Sequence, residues 1–184
     1  MGQRGSVLTL FKTLSNQTRL DILMLLRDSC LTASEVAEKL KINPSTAYRY
    51  LNQMVKAGIL KVLKTPEGDR YDFSSVQVFR MLEAAVELLH ENEKEKKISS
   101  ITSVEESSGS TKLLDMRGQI CPVPEITTRK ELEKLQPGET LIVMCDYPLS
   151  GERITSFSLR EGYEVATEQI GPVMKIYIKK PQSL

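Results

Sequence analysis

Hydrophobic positions in the first half of the chain recur at the spacing of amphipathic helices. Apolar residues at positions 14, 20, 22, 23, 25 and 26 predict helix, and those at 36, 37 and 40 predict a further short helix. Thr32 is expected to cap the short helix, with Glu35 completing a capping box. Asn43 and Pro44 then begin a helix that runs to a stop at Gly58. This pattern predicts two short helices about a tight connection.

A β-hairpin and a long helix complete the first half. Residues 59–63 and 70–73 are strand-like and flank a turn-rich tip at 65–69. A long helix is predicted over residues 75–97, with an apolar stripe wider than the other elements can cover. We therefore expect a homodimer formed through this helix. The stripe consists of Val78, Met81, Leu82, Ala85, Val86, Leu88 and Leu89.

The pattern changes after a polar, Ser-rich stretch at residues 99–110, which is typical of a flexible linker. Beyond it, strand-like and helix-like segments alternate in the order β-α-β-α-β-β, which predicts one sheet covered on one face by two helices. We therefore expect a mainly α winged helix-turn-helix domain at 1–97, a linker at 98–111 and an α/β two-layer sandwich at 112–184.

Composition excludes several classes of protein. The 184 residues are 40% hydrophobic and contain no apolar run near the roughly 18 residues of a membrane span. The N-terminal segment shows no secretory cleavage site, so we expect a cytoplasmic protein without membrane contact. Three widely spaced cysteines, Cys30, Cys121 and Cys145, argue against a disulfide framework and suit a reducing compartment.

Charge is distributed unevenly along the chain, although the net charge is only +1. Residues 1–72 hold 11 Lys and Arg against 7 Asp and Glu, which gives +4. Residues 98–184 hold 10 against 12, which gives −2. The N-terminal part is therefore the better candidate for binding a polyanion.

Three segments of the first half carry a family resemblance. LSNQTRLDIL at 14–23, LTASEVA at 31–37 and AGIL at 57–60 resemble the ArsR-type transcriptional regulators, over about residues 5–95. The resemblance implies a winged helix-turn-helix that binds double-stranded DNA. ArsR-type proteins commonly sense metals through cysteines before the recognition helix, but residues 31–35 contain none, and Glu87, His90 and Glu91 are too few for a thiophilic metal. We expect no metal site and no cofactor.

The predicted recognition helix and hairpin carry candidate DNA contacts. Polar and cationic side chains on the helix can reach base edges or phosphates in the major groove: Ser45, Thr46, Tyr48, Arg49, Asn52, Gln53 and Lys56. On the wing, Lys61, Lys64 and Arg70 are expected to hold phosphates. The alternatives are that these residues form a solvated face or that the winged helix contacts proteins.

A cysteine motif follows the first predicted strand of the second half. LDMRGQICPVP at 114–124, QPGE at 136–139, DYP at 146–148 and REGYEV at 160–165 resemble the TusA/SirA-like sulfur-carrier and sulfurtransferase family, over residues 112–180. The resemblance implies that Cys121 accepts sulfur as a persulfide from a donor protein and passes it to an acceptor protein.

The position of Cys121 at the start of a predicted helix also favours a reactive thiolate. We expect it to be partly exposed at the start of a helix at 122–135, where backbone amides and the helix dipole favour a thiolate. Arg117 either adds positive charge or pairs with Asp115. Asp146 follows the second strand and is expected at the same sheet edge, because the strand ends of a parallel β-α-β unit lie on one side.

The other two cysteines each have two interpretations. Cys145 at a strand end is either a core residue or a relay thiol, and Cys30 is either a small buried residue or a sensing thiol.

The sequence as a whole predicts a transcriptional regulator that is coupled to sulfur transfer or sulfur sensing. Two alternatives remain: a sulfurtransferase or carrier component whose winged helix dimerises or docks partners, and a regulator whose second domain binds a small ligand while Cys121 is silent. Whether the second domain acts as an enzyme stays open.

Overall fold

The computed structural model describes residues 7–90 and 110–182, which form two compact units. The division between the units falls between Ala85 and Val86, inside the last helix of the first half. Residues 91–97 of the predicted long helix and 98–109 of the predicted linker lie outside the described residues. The domain boundaries therefore stay a prediction.

Residues 7–90 form five helices and a three-stranded antiparallel sheet in the order β1-β3-β2. The elements are α1 (Val7–Leu14), α2 (Gln17–Leu26), β1 (Leu31–Thr32), α3 (Ala33–Leu40), α4 (Pro44–Lys56), β2 (Leu60–Thr65), β3 (Gly68–Phe73) and α5 (Val76–His90). The predicted hairpin is confirmed as β2 and β3. Strand β1 was not predicted, because two residues are too few to show a strand period.

Local capping fixes the two helices of the helix-turn-helix as the sequence predicts. The Thr32 side chain accepts from the Glu35 amide at 3.2 Å, and the Glu35 carboxylate accepts from the Thr32 amide at 2.7 Å. Asn43 Oδ1 accepts from the Ser45 amide at 2.8 Å at the start of α4. Gly58 follows α4 with a φ of 75°, a left-handed conformation that glycine adopts without strain.

An apolar core joins the helices of the first unit to its sheet. Its fully buried members include Ile22, Leu26, Val36, Ala47, Leu51, Met54, Ile59 and Phe73. On α5 the buried residues are Phe79 and Leu82, and the Phe79 ring meets Phe73 edge-on at 5.7 Å. Phe79 was absent from the predicted stripe. Ala85 and Leu88 of that stripe are exposed, so the unit covers only part of it.

Residues 110–182 form a four-stranded mixed sheet and two helices. The elements are β4 (Thr111–Asp115), α6 (Val123–Glu133), β5 (Thr140–Cys145), α7 (Pro148–Arg160), β6 (Glu164–Ile170) and β7 (Val173–Lys179). The strand order is β4-β5-β7-β6, with β4 and β5 parallel and the other pairs antiparallel. This confirms the predicted α/β sandwich.

Both helices of the second unit pack on the same face of the sheet. Leu132 of α6 and Ile154 and Phe157 of α7 are buried in one cluster with Leu141, Val143, Cys145, Ile176 and Ile178 from the two central strands. Alternate residues of β5 are buried, which is the pattern of a strand with one covered face. Across residues 7–90 and 110–182, no helix has both the length and the apolar character that a bilayer span needs.

Candidate functional site

The outward face of α4 carries the residues predicted to contact DNA. Ser45, Tyr48, Arg49, Gln53 and Lys56 are exposed, and Thr46 and Asn52 are partly buried. Ala47, Leu51 and Met54 on the opposite side are fully buried. The core therefore fixes one side of the helix, and all seven predicted residues lie on the other.

Several side chains on this face are held by neighbours within the unit. Asn52 Nδ2 donates to a backbone carbonyl one turn earlier at 3.0 Å. Arg19 on α2 donates from Nη2 to Gln53 Oε1 at 2.8 Å. The Tyr50 ring lies beneath two guanidiniums, that of Arg19 at 5.4 Å and that of Arg49 at 5.3 Å. Sequence analysis selected neither Arg19 nor Tyr50, although Arg19 belongs to the first segment that carries the resemblance to ArsR-type proteins.

The two lysines predicted on the wing differ in their surroundings. Lys64 lies near the tip with 79% of its side chain exposed, and its ammonium is 2.7 Å from Asp69 Oδ2. Lys61 is partly buried on the same strand. An ion pair this exposed contributes little to stability and exchanges readily for another anion.

Arg70, the third wing cation, is engaged inside the fold, and only 16% of its side chain is exposed. Its Nη1 donates to the Cys30 carbonyl oxygen at 3.1 Å and to Glu35 Oε2 at 3.2 Å. Burial raises the pKa of Glu35, but hydrogen bonds from Thr32 and the charge of Arg70 outweigh burial, so the pKa is lowered. The prediction that Arg70 holds a phosphate did not include these contacts with Glu35 and Cys30.

Potential metal ligands and Cys30 complete the account of the first unit. In the described ranges, no three His, Cys, Asp or Glu side chains are grouped as a metal site. The His90 side chain and Glu91 lie outside what the structure describes. Cys30 is fully buried, in keeping with the interpretation as a small buried residue.

In the second unit, a loop after β4 brings Cys121 to the sheet edge where β5 ends. Because β4 and β5 are parallel, their carboxyl ends meet there. Asp146 follows β5 directly, and its carboxylate accepts from the Gly118 amide at 2.9 and 3.0 Å. Gly118 has a φ of 73°, which suits glycine at a tight turn. Asp146 therefore lies at the predicted edge, where it anchors the loop.

Arg117 pairs with Asp115 at the end of β4. Its Nη2 lies 2.6 Å from Asp115 Oδ2, and its Nε donates to Oδ1 at 2.8 Å. Both side chains are substantially exposed. Hydrogen bonds from Arg117 lower the pKa of Asp115 to about 2. Of the two roles that the sequence left open for Arg117, the structure shows this ion pair.

Cys121 is buried, with 1% of its surface exposed, which corrects the prediction of a partly exposed thiol. Helix α6 begins at Val123 with Pro122 as its N-cap, so Cys121 lies one residue before the cap. The Cys121–Pro122 peptide bond is cis. The thiol is covered because it faces α7, where Arg153 Nη1 donates to Cys121 Sγ at 3.5 Å.

Arg153 on α7 is a charged neighbour of the Cys121 thiol, and this residue was not predicted from the sequence. Its side chain is fully buried, and its Nη1 lies 3.6 Å from Oε1 of Glu125, which is 1% exposed. Ser150 Oγ donates to the same Glu125 oxygen at 2.8 Å. Burying two charges costs roughly several kcal/mol per ion even when they are paired, which makes this buried pair beside a thiol a candidate functional site.

Two residues at the end of β5 and the start of α7 determine how closely this helix approaches the sheet. A Cβ at Gly151 would lie 2.6 Å from Met174 Sδ and 3.3 Å from Cys145 Sγ, so a side chain at position 151 would require Met174 to shift. Cys145 is 1% exposed. Burial, with the charges of Glu125 and Asp146, raises the pKa of Cys145 to about 12. Its thiol is therefore neutral near pH 7, which favours the interpretation as a core residue.

Comparison with known proteins identifies the two halves separately. Residues 112–180 match the family described as Sulfurtransferase TusA, and residues 16–62 match that described as bacterial regulatory protein, arsR family. A "Putative sulfur carrier protein" of Thermotoga maritima is 49% identical over 71 residues, which cover 38% of this chain and 90% of that protein. The chain belongs to the TusA family.

Other proteins are similar to one half of the chain or the other. A "Putative sulfur carrier protein" of Methanocaldococcus jannaschii is 44% identical over 70 residues, covering 38% of this chain and 93% of that protein. The homodimeric winged helix-turn-helix DNA-binding domain of a "possible ArsR-family transcriptional regulator" from Mycobacterium bovis is 22% identical, with a TM-score of 0.45, and covers 50% of this chain and 86% of that one. The two family matches show that the chain joins an ArsR-like winged helix-turn-helix region to a TusA-like domain, as predicted.

Proposed function

We propose that this TusA-family protein is a DNA-binding transcriptional regulator coupled to sulfur transfer or sulfur sensing, with Cys121 as the persulfide acceptor. The observation that carries the proposal is the Cys121 thiol, buried 3.5 Å from Arg153 Nη1, in a chain whose other half presents a polar and cationic helix face. A simple sulfur carrier needs no such helix face, and a simple regulator needs no thiol held against a buried guanidinium.

In the proposed DNA complex, α4 lies in the major groove. Ser45, Thr46 and Arg49 lie in its N-terminal half and, with Asn52 one turn further on, contact base edges, while Tyr48, Gln53 and Lys56 add further contacts. Lys61 and Lys64 contact phosphates from the wing. Arg19 keeps its bond to Gln53 and adds a positive charge beside α4.

The proposed complex contains two copies of the chain. Leu8 and Phe11 on α1 are 61% and 60% exposed, and Leu88 on α5 is 68% exposed. Large apolar side chains on two helices suit burial against a second copy. A two-fold pair would present two α4 helices to half-sites one helical turn apart.

The proposed chemistry is a thiol-to-persulfide exchange. The Cys121 thiolate attacks the outer sulfur of a donor protein's cysteine persulfide, so that a bond forms between Cys121 Sγ and that sulfur. The sulfur–sulfur bond of the donor breaks, and the donor cysteine leaves as a thiolate with the electron pair. No external oxidant or reductant is consumed. An acceptor thiolate later attacks the outer sulfur on Cys121 and regenerates the Cys121 thiolate.

Intact mass after exposure to a protein persulfide donor tests this proposal. We expect wild type to gain one sulfur and Cys121→Ser to gain none, because Arg153 Nη1 donates to Cys121 Sγ at 3.5 Å, whereas Cys30 is fully buried and burial raises the pKa of Cys145 to about 12. DNA binding is then measured on the loaded and unloaded forms. Absence of sulfur on wild type, or equal uptake by Cys121→Ser, would overturn the assignment.

A further inference from the structure

Resting on the proposed role of Cys121, we infer that Arg153 is a catalytic residue that holds the negative charge of the Cys121 thiolate and of its persulfide. Glu125 and Ser150 are positioning residues that act through Arg153. The observation behind this assignment is the fully buried guanidinium with Nη1 at 3.5 Å from the sulfur. A hydrogen bond of a charged donor to sulfur favours the thiolate over the neutral thiol.

The contacts of Glu125 leave the guanidinium suited to a second anion. Arg153 Nη1 lies 3.6 Å from Glu125 Oε1, which is longer than a hydrogen bond. Ser150 Oγ donates to that oxygen at 2.8 Å, so the serine fixes the carboxylate. Glu125 Oε2 has no hydrogen-bond partner among the described residues. Glu125 therefore balances the charge of Arg153 but does not form a bidentate hydrogen-bonded pair with it.

The charges around the thiol come from three elements. Glu125 lies on α6 and Arg153 on α7, while Cys145 and Asp146 stand at the end of β5. Cys145 is neutral near pH 7 because burial raises its pKa to about 12, and Asp146 accepts hydrogen bonds from the Gly118 amide. In the loop before Cys121, Arg117 is paired with Asp115. The Arg153 guanidinium donates to Cys121 Sγ at 3.5 Å.

A persulfide gains from the same guanidinium. Its negative charge resides on the outer sulfur, which extends beyond Sγ. Arginine presents five N–H groups in a planar fork and keeps its charge at every accessible pH, so one guanidinium can hold both sulfur atoms.

The test compares variants that differ only in the guanidinium. Glu125→Gln removes the carboxylate charge, and Glu125→Gln/Arg153→Met removes the guanidinium as well, so that no buried charge is left without its partner. Iodoacetamide labelling of Cys121 is followed by peptide mass spectrometry across a pH series on the full-length protein. We expect the midpoint of the labelling rate to lie about 1 pH unit or more higher in the double variant than in Glu125→Gln.

Arg160→Met is the matched control. Arg160 is an exposed arginine on the same helix, and its Nη1 donates to Ser156 Oγ at 2.7 Å. The midpoint of Cys121 labelling in Arg160→Met is expected to equal that in wild type. Coincident midpoints for Glu125→Gln and the double variant, or an equal shift in Arg160→Met, would overturn the role of Arg153.

Two further measurements keep the result decisive. If circular dichroism shows the double variant unfolded, Glu125→Gln is compared with wild type. Its midpoint should fall, because a competing carboxylate is lost, and an unchanged or higher midpoint overturns the inference. Sulfur uptake by wild type is measured in parallel. If the labelling midpoints shift as predicted but wild type takes up no sulfur, only the proposed function is wrong. If wild type takes up sulfur but the labelling midpoints of Glu125→Gln and the double variant coincide, only the role of Arg153 is wrong.

Discussion

The guanidinium of Arg70 on β3 donates to both carboxylate oxygens of Glu35 on α3, at 3.2 and 3.3 Å. The same carboxylate accepts from the Thr32 amide at 2.7 Å and so caps α3. One glutamate therefore joins the hairpin to the helix that precedes α4. Because α4 packs on α3, this contact helps to set the angle between the wing and the proposed recognition helix.

Arg70→Ala is expected to lower the free energy of unfolding by about 1 to 2 kcal/mol, because it removes charge-assisted hydrogen bonds to a partly buried carboxylate. Lys64→Ala, at an exposed ion pair, should change it by less than about 0.5 kcal/mol. Urea denaturation near pH 7 measures both. Equal stabilities for the two variants would contradict a structural role for Arg70.

The pH dependence of stability in acid tests the contribution of Glu35 to the same ion pair. Its pKa is lowered in the folded state, so its contribution is present above the ordinary pKa of a glutamate and is lost as the pH falls through the lowered pKa. Wild type should therefore lose this stability on acidification, while Glu35→Gln, which never carries the charge, should show a shallower loss. Parallel pH curves for the two proteins would refute the prediction.

Substitutions on α4 should affect base recognition, whereas substitutions on the wing should affect phosphate binding. Arg49→Ala and Asn52→Ala are expected to bring affinity for an in-vitro-selected duplex closer to that for a random one, by about 1 to 3 kcal/mol each. Lys64→Ala should weaken binding to both duplexes equally and lower the slope of log K against log salt by about 1. Equal losses on both duplexes for all three variants would show that α4 is not the recognition helix.

Dimerisation should depend on the exposed apolar residues of α1 and α5. Leu88→Glu places a charge at a side chain that is 68% exposed, so it should spare the fold and weaken a dimer built on α5. Leu113→Glu is the control, because Leu113 is 63% exposed on β4, outside the helices of residues 7–90. Sedimentation velocity at micromolar concentration should show a dimer for wild type and Leu113→Glu. A monomeric wild type would remove the dimer proposal.

The parts of the fold that follow local rules were predictable from sequence. The Thr32 capping box, the Asn43 cap and the stop at Gly58 depend on residues within one turn, and the structure confirms them. The thiol site was only half predictable. Cys121 and Asp146 follow from the motif and the parallel strands, whereas the contact with Arg153 depends on how closely α7 approaches the sheet.

Sequence analysis overlooked Arg153 and Glu125 because charged residues on short helices usually face solvent. Helix α7 begins at Pro148, and the side chain of Arg153 on this helix is fully buried. The pair lies 28 residues apart along the chain, so no local spacing reveals it. The wrong prediction of a partly exposed Cys121 has the same cause, since α7 covers the thiol.

Cys145 is expected to be chemically silent near neutral pH. Its pKa is raised to about 12, so thiolate appears only in strong alkali and iodoacetamide should label Cys121 well before Cys145. Cys145→Ala should still accept sulfur on Cys121. Loss of loading in Cys145→Ala with an intact fold would make Cys145 a relay thiol and reverse the roles of the two cysteines.

The last prediction concerns communication between the halves of the chain. If sulfur on Cys121 is a signal, the loaded and unloaded forms should differ in DNA affinity by about 1 kcal/mol or more, which is roughly fivefold. By linkage, saturating DNA should shift the equilibrium of sulfur loading by the same factor. Fluorescence anisotropy with a selected duplex measures the first effect, and intact mass with and without DNA measures the second.

Cys121→Ser controls for reactions of the donor elsewhere on the protein, since its affinity should not respond to donor treatment. Equal affinities for loaded and unloaded wild type would contradict sensing while leaving sulfur transfer intact, because the Ser-rich stretch at 99–110 permits two independently working domains. Loading without any DNA binding would instead favour a carrier whose winged helix docks protein partners. A coupled change in both measurements requires that the state of Cys121 bias the DNA-binding unit, directly or through the second copy of the chain.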